Sequence, residues 1–474
     1  EARHILIKPT QTMSMDSVNK KIDALKLAIE GGADFADLAQ RNSEDKGSAI
    51  KGGDLGWFSE GAMVDEFNEA CFTSKRGDLS VVTSQFGVHL IEVTSGATAQ
   101  DFLDVQAIIN AGNPNYIRPL NNEVNDVFDT AKNKNFKYGE AKRWILQTDD
   151  GSLVGRIAAF TNSKYINKGT DFNTGGVGFF DCINDQAAAN LLFDTAKEWL
   201  TQKGMEAMDG PINFGERDRW WGLIVEGFQP PLYCMSYSKP YYRNLFEQYG
   251  FQPFFHQYCY GLDPTREISQ KLLDRHAEVK KDPGFRAVCA TKKELEKFAV
   301  DFSIVYNKAW AGHGGLKEIS QDLAISMFNK MKPVMDEKIV WFAYYHDQPI
   351  GIFINIPDLN QWFKYLNGKF DLFHKLKFLW IKKTRPNKRF TGIIFGVVPE
   401  FQGKGIDAFM INEAKFIVQA LNRYNYYELQ WIGDFNPKMI NVAEGLGDTY
   451  MTRQLITWRY QFDRTLTFER HPIL

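Results

Sequence analysis

Five cysteines (Cys71, Cys182, Cys234, Cys259 and Cys289) are scattered through 474 residues, with no CxxC pair and no Cys/His ligand spacing. That argues against a disulfide framework and a structural zinc site, so no metal is expected and the thiols read as buried and free in a reducing compartment. No apolar run approaches the roughly 20 residues that cross a bilayer as a helix. The chain shows no signal peptide and no initiator methionine. It begins Glu1-Ala2-Arg3, which reads as a processed, truncated or assembled N-terminus. A net charge of −2 supplies no field to recruit nucleic acid. Low-complexity segments are lacking too.

What is present is apolar mass. Apolar residues make up 44% and aromatics 14%, enough to fill several cores and line apolar clefts. The length predicts two to four domains. Charge is uneven: residues 1–100 hold 10 Lys+Arg and 15 Asp+Glu, net −5, which leaves +3 for the remainder.

Residues 3–8 read as a short strand closed by Pro9. Val18, Ile22, Leu25, Ala28 and Ile29 form a helical stripe ended by Gly31-Gly32. Two shorter helices at 34–41 and 62–71 flank a Gly-rich loop at 46–56, and 88–93 closes the series as a strand. The order β-α-α-loop-α-β predicts one compact α+β unit. Residues 94–100, small and polar, read as a linker.

This first segment has the chemistry to rotate an imide bond. Its barrier, about 18–20 kcal/mol, comes from partial double-bond character. Lowering it takes an apolar floor for the proline ring beside a polar patch, without nucleophile or cofactor. His4-Ile5-Leu6-Ile7, Ser43-Glu44-Asp45, Gly52-Gly53-Asp54-Leu55-Gly56-Trp57-Phe58, Met63, Phe67, Phe72 and Phe86-Gly87-Val88-His89-Leu90-Ile91 resemble the parvulin family of peptidyl-prolyl isomerases in order and spacing. The resemblance covers residues 1–95. It implies that His4 and His89 pair at the cleft base, that Leu55, Met63 and Phe67 line the proline pocket, and that Thr83 is the polar partner. It also implies partners that are proline-containing peptide segments or unfolded proteins. Many parvulins carry Cys where this chain has Lys46, so Asp45 is the candidate for the polar contact. Phosphate-directed parvulins carry an Arg pair where residues 9–16 have none, which implies no phosphoserine preference. Taken singly, each histidine reads equally as a satisfied core residue.

From residue 101 the character changes. Strand-like runs at 144–147, 155–161 and 176–181 precede a long helix at 185–204, a strand at 205–208, a helix at 241–249 and an aromatic strand to Tyr260. A similar series recurs: a hairpin at 339–356, a strand at 391–398, a helix at 405–421, a strand at 427–432, a helix at 437–446 and a strand at 454–460. This predicts a duplicated domain with halves 101–265 and 280–474.

In the second half, residues 397–407 (VVPEFQGKGID) follow a strand and open a helix. Glycines there let backbone N–H groups approach a pyrophosphate, with the helix dipole assisting. VVPEFQGKG, the segment from Asn436 to Leu446-Gly447, and residues 241–251 resemble GNAT acetyltransferases. The resemblance implies α/β tandem GNAT-like domains, mixed sheets with flanking helices, after the α+β parvulin domain. It implies acetyl-CoA or another acyl-CoA held by Val398, Gln402, Gly403, Lys404, Gly405 and Asn436, and an amine acceptor. Asp407 replaces the last Gly/Ala of the signature, and Ala443 stands where many members carry a thiolate-protonating Tyr. Glu428 and Glu400 are candidate bases. The first half lacks the signature, so at most one CoA site is expected. A Gly-rich turn between strand and helix is also often only a turn.

The functional expectation is a prolyl isomerase joined to an N-acyltransferase. The alternative is a peptide-binding foldase module on a silent scaffold, natural or artificial in origin. Parvulins of this pattern are often exported, whereas GNAT proteins work in the cytoplasm. Two further stretches carry paired readings. Asn213, Glu216, Arg217, Asp218 and Trp221 either line an acceptor cleft or form a rigid loop between the halves with Arg217 paired to an acid; the loop is favoured. Residues 362–390 mix aromatics with lysines. They read either as a surface for an anionic membrane or acidic partner, or as an inserted hairpin with core aromatics and solvated lysines. The hairpin is favoured, with no membrane contact.

Overall fold

The structure is a computed structural model and describes residues 1–56, 58, 61–74, 76–94, 98–148, 150–165, 172–215, 217–267, 269–310, 318–446 and 448–473. It divides into two compact units, Glu1–Asp104 and Val105–Leu474.

The first unit runs β1 (Ala2–Ile7), α1 (Met15–Glu30), α2 (Phe35–Asn42), the single turn α3 (Lys46–Ala49), α4 (Asp65–Thr73), β2 (Leu79–Ser84) and β3 (Gly87–Val93). Its strands form an antiparallel sheet in the order β1-β3-β2. Ser14 and Asp34 cap α1 and α2 by accepting the N–H groups of Ser17 and Asp37, donors that a helix start leaves unpaired. Val18, Ile22 and Leu25 of the predicted stripe are buried against Ile5, Ile7, Val88 and Leu90. Strand alternation sends Ala2 and Ile91 to the other face, where Phe67, Leu55 and Met63 cover them. The unit boundary falls inside α5 (Ala99–Ile109), although the sequence suggests a linker at 94–100. Residues 95–97 of that stretch lie outside the described residues.

The second unit continues with α6 (Asn121–Phe128), β4 (Gly139–Gln147), β5 (Leu153–Asn162), β6 (Thr174–Cys182), α7 (Gln186–Gln202), β7 (Ala207–Gly210), β8 (Leu223–Glu226), α8 (Tyr242–Tyr249) and β9 (Gln252–Leu262). The second series is α9 (Gln270–Val279), β10 (Phe285–Cys289), α10 (Leu295–Trp310), α11 (Gln321–Met331), β11 (Val340–Tyr345), β12 (Gln348–Pro357), α12 (Asn360–Phe363), α13 (Leu372–Thr384), β13 (Arg389–Val397), α14 (Ile406–Leu421), β14 (Tyr426–Leu429), β15 (Ile432–Gly433), α15 (Pro437–Glu444) and β16 (Tyr450–Gln461). Together they build one mixed sheet of 13 strands with the main path β10-β11-β12-β13-β14-β9-β16-β7-β6-β5-β4.

The two predicted series are recognisable, but boundaries at 265 and 280 do not separate self-contained bodies. Each series receives its last strand from the other: β9 pairs with β14, and β16 with β7. Two buried arginines pin β16 in place. Arg459 Nε lies 2.6 Å from Asp209 Oδ1 on β7, and Arg453 Nε lies 2.7 Å from Glu428 Oε1 on β14. A slipped register would strand these charges in the core, a cost of several kcal/mol.

Residues 362–390 are an insertion between β12 and β13, and only part of it is a buried hairpin. Trp362, Phe363, Leu366, Phe378 and Ile381 form a small core. Leu372, Phe373, Leu376, Leu379 and Trp380 are exposed. The expectation that the aromatics here are core is thus corrected for Phe373 and Trp380.

Candidate functional site

In the first unit the register sets His4 opposite Ile91 and His89 opposite Leu6, diagonal neighbours on one face of β1 and β3. Their Nδ1 atoms lie 3.1 Å apart. His4 Nε2 is 2.9 Å from Asp45 Oδ2 and 3.1 Å from Ser48 Oγ. His89 Nε2 is 2.8 Å from Ser84 Oγ. One proton assignment connects them: Ser84 O–H donates to His89 Nε2, His89 Nδ1–H to His4 Nδ1, and His4 Nε2–H to Asp45, whose Oδ2 also accepts the Ser48 O–H. Phe67 stands edge-on to both imidazoles, 5.5 and 5.3 Å between centroids.

Burial, with His4 alongside, lowers the His89 pKa to about 4, so this ring stays neutral near pH 7. The Ser48 hydroxyl, together with His4 and the Gly47 N–H, holds the Asp45 carboxyl below its usual range against the opposing effect of burial. The Gly-rich loop is strapped to β1 at this point. Gly53 O accepts the His4 N–H at 2.9 Å, and a Cβ on Gly53 (φ +83°) would stand 2.5 Å from the His4 carbonyl oxygen. Only glycine fits there.

His4, Asp45 and His89 are therefore brought together, with Leu55, Met63 and Phe67 in one apolar cluster beside them. Thr83 is not. It pairs with Val88 and is exposed, while alternation turns Val82 and Ser84 to the histidine face. The polar partner of His89 is Ser84, which the sequence reading missed by one residue. Lys46 turns away, its Nζ donating to the Ser43 carbonyl at 3.0 Å. Trp57 lies outside the described residues.

In the second unit, β13 and β14 run parallel from Arg389/Tyr426 to Gly392/Leu429 and then part. Beyond Gly392, β13 continues alongside β12, whereas the chain after β14 turns to pair β15 with β9. A cavity of about 290 Å³ occupies the split, with Ile393 and Phe395 on one wall, Gln430 and Trp431 on the other, and Tyr306 and Trp310 also lining it. It shares Phe353, Phe395, Tyr427, Leu429 and Met439 with an apolar cavity of about 60 Å³ lined by Leu272 and by Ile411 and Val418 of α14. Among the described residues the Tyr427 hydroxyl is buried without a hydrogen-bond partner, as is the Asn412 side-chain oxygen. Burial pushes the Tyr427 pKa up. Gly392 makes room for this hydroxyl, which would stand 2.3 Å from a Cβ there. Neither tyrosine nor tryptophan of this cleft was singled out from sequence.

The Gly-rich turn lies between the end of β13 and the start of α14. Val398 N–H donates to Ile350 O at 2.9 Å, and Gln402 Nε2 to Val397 O at 3.0 Å. Gln402, Gly403 and Lys404 are exposed, and a Cβ on Gly403 (φ +75°) would meet nothing within 4 Å. The first N–H groups of α14 have no acceptor inside the helix. Gly405 is buried, close to Val279 of α9. Asp407, the residue that departs from the family pattern, is held by Arg275 of α9 with Nη2 2.7 Å from Oδ1. Asn436 caps α15 by accepting the Met439 N–H, and Ala443 is fully buried.

Glu428 is not a base for this site. It accepts from Arg453, from Thr452 Oγ1 at 2.7 Å and from the Tyr426 hydroxyl at 2.8 Å, all on the side away from Tyr427. Glu400 is exposed on the 3-10 turn Pro399–Phe401. In the first half the corresponding split between β6 and β7 is filled. Ile212 N–H donates to Val177 O at 2.8 Å, and the Ile212 carbonyl closes over Gly178. The helix start there is capped by the acidic Asp185. Trp221 and Asn213 are buried within this packing, so they line no open cleft. Arg217 stacks over the Trp221 ring at 5.5 Å. Glu216 lies outside the described residues.

Residues 1–97 match the family described as the PPIC-type PPIASE domain. The chain is 49% identical over 104 residues to chaperone SurA of Methylococcus capsulatus, a match covering 22% of this chain and 23% of that protein, so it spans about a quarter of that relative. Over 384 residues it is 27% identical to a bacterial ceramide synthase of Caulobacter vibrioides, covering 80% of this chain and 97% of the other. Among solved structures, a tandem GNAT protein from the clavulanic acid biosynthesis pathway matches 81% of this chain and 98% of its own, at 12% identity and a TM-score of 0.43.

Proposed function

The chain carries a PPIC-type peptidyl-prolyl isomerase domain at residues 1–97, and on that footing we propose that residues 105–474 are a second enzyme, an acyl-CoA-dependent N-acyltransferase. In the isomerase, Leu55, Met63 and Phe67 receive the proline ring. The Asp45 carboxylate disfavours negative charge on a neighbouring imide oxygen. That charge belongs to the resonance form that gives the C–N bond its double character, so the twisted state gains relative to the planar one. Residues 9–16 offer no cation for a phosphate, which supports an unphosphorylated X-Pro substrate.

The observation that carries the second activity is the parting of β13 and β14 above a cavity that shares its Phe353, Phe395 and Tyr427 wall with an apolar cavity under α14. An acyl-CoA laid in the split would set its pyrophosphate on the exposed turn Gln402–Lys404 and the start of α14, and its acyl chain among Phe353, Phe395, Leu272 and Ile411. An amine attacks the thioester carbonyl, the C–S bond breaks, CoA leaves as the thiolate, and the proton lost by nitrogen neutralises it. The relative from Caulobacter is named a ceramide synthase. A ceramide is an amide of a fatty acid with a long-chain amino alcohol, and we assign that acceptor class to this chain. Asp407 does not oppose this reading, because Arg275 compensates its charge. Ala443 favours a silent scaffold, since it leaves no tyrosine at that position for the thiolate.

The test mixes the full chain with palmitoyl-CoA and a long-chain amino alcohol and follows thiol release and amide formation by mass spectrometry. Stoichiometric amide and thiol are expected. No product, and no calorimetric binding of acyl-CoA at millimolar concentration, would leave the scaffold reading.

A further inference from the structure

Helix α13 presents an arrangement that neither the isomerase nor the acyl-transfer reading uses. Five large apolar side chains stand in solvent: Leu372 at 76% exposure, Phe373 at 71%, Leu376 at 61%, Leu379 at 56% and Trp380 at 59%. At 100° per residue they fall within one arc of about 120°. Phe378 and Ile381 point to the other side, into the core with Trp362 and Phe363. The helix is therefore anchored by one face and bare on the opposite one. A bare apolar face this concentrated marks a surface that something covers.

The charge around it says what. Residues 364–389 contain nine Lys or Arg and one acid, Asp371, for a net of +8 in a chain whose total is −2. The lysines border the apolar arc: Lys375 on one side and Lys383 at its C-terminal end are exposed, whereas Lys382 and Lys377, also at its borders, donate to the Pro333 and Tyr365 carbonyls. Apolar side chains bracketed by long cations, with an aromatic at each end, suit the boundary between acyl chains and anionic headgroups, where lysine stems lie along the apolar layer and their ammonium groups reach the phosphates. At 13 residues the helix is about 20 Å long, too short to cross the roughly 30 Å hydrocarbon layer. No helix among the described residues is long and apolar enough to cross a membrane. The geometry allows α13 to lie on a bilayer, not to span it.

We propose that α13 is an interfacial membrane-docking helix, which inserts its Leu372, Phe373, Leu376, Leu379 and Trp380 face into an anionic phospholipid bilayer while the exposed Lys375 and Lys383 bind headgroup phosphates. This replaces the expectation of no membrane contact through 362–390. It stands on the helix alone and does not depend on acyl transfer.

Sedimentation of the full chain with vesicles of phosphatidylcholine containing 30 mol% phosphatidylglycerol tests it. The chain binds these vesicles, and binding falls at least tenfold on pure phosphatidylcholine or in 0.5 M salt. The Leu376→Glu/Trp380→Glu variant loses at least tenfold in vesicle affinity. Its thermal midpoint and prolyl isomerase turnover stay unchanged, because both residues are exposed. Three results would overturn the proposal. The wild type fails to sediment with either vesicle; the double variant binds like the wild type; or the wild type forms a dimer that the double variant abolishes, without vesicle binding, which assigns the face to a second copy of the chain.

Discussion

His4 and His89 share one proton between facing Nδ1 atoms 3.1 Å apart. A second proton at that contact would set two N–H donors against each other. His89 itself would take a further proton at Nε2, which displaces the Ser84 hydroxyl as donor and leaves a charge buried beside His4.

Acid should loosen the first unit for this reason. His89 titrates near pH 4 in the fold against the ordinary 6.5, so the unfolded chain takes up the proton first. Its contribution to stability is present above pH 6.5, declines as pH falls below that value and is gone near pH 4, about 3 kcal/mol in all. Urea midpoints of the fragment 1–104 between pH 7 and pH 4 check this. The decline should be shallower in His89→Gln.

Asp45→Ala should lower isomerase turnover on an unphosphorylated X-Pro peptide by roughly 10- to 100-fold while peptide affinity changes less than about twofold, the pattern of a contact made mainly in the transition state. Line-shape NMR on cis–trans exchange reads both. An equal loss in affinity would assign Asp45 to binding instead.

Gly403 separates charge from shape at the Gly-rich turn. Asparagine tolerates the positive φ of this position, and a side chain there has open space. Gly403→Asp should bind acyl-CoA at least tenfold more weakly than Gly403→Asn, a difference of about 1.4 kcal/mol. Equal affinities would place the pyrophosphate elsewhere.

Tyr427→Phe removes a buried hydroxyl that has no hydrogen-bond partner among the described residues. Stability should hold or rise by about 1 kcal/mol. Acyl-CoA affinity or turnover should drop by roughly fivefold, the worth of one ordinary hydrogen bond. Calorimetry on both proteins distinguishes this from a purely structural role, which would leave ligand binding unmoved.

Arg453→Met leaves Glu428 buried and unpaired, and should destabilise the second unit by roughly 3–5 kcal/mol in chemical denaturation. The first unit should melt as before.

Much of this was legible from sequence where the signal is local. The α1 stripe, the loop glycines and the two histidines sit in patterns that a short window captures. Thr83 and Ser84 show where that stops: which of them meets His89 depends on the strand phase across the Gln85-Phe86 turn, and a shift of one residue flips the face. Glu428 looked like a base because it neighbours the cleft in sequence, yet alternation gives the cleft to Tyr427 and hands Glu428 to Arg453. Arg275 neutralises Asp407 across 132 residues, which no local pattern reveals. The exchange of last strands was equally out of reach, since both series read as complete in themselves.

That exchange constrains the order of events during synthesis. When residues 105–262 have left the ribosome, β7 has an open edge, and its partner β16 is not yet made. Asp209 waits for Arg459, 250 positions later, where the core must close. Until the chain is almost finished, both half-built sheets carry a bare edge open to pairing with any extended segment. Completion is therefore a single late event: the arrival of residues 450–461 seals two sheets at once, and a chain stopped before them leaves neither sealed.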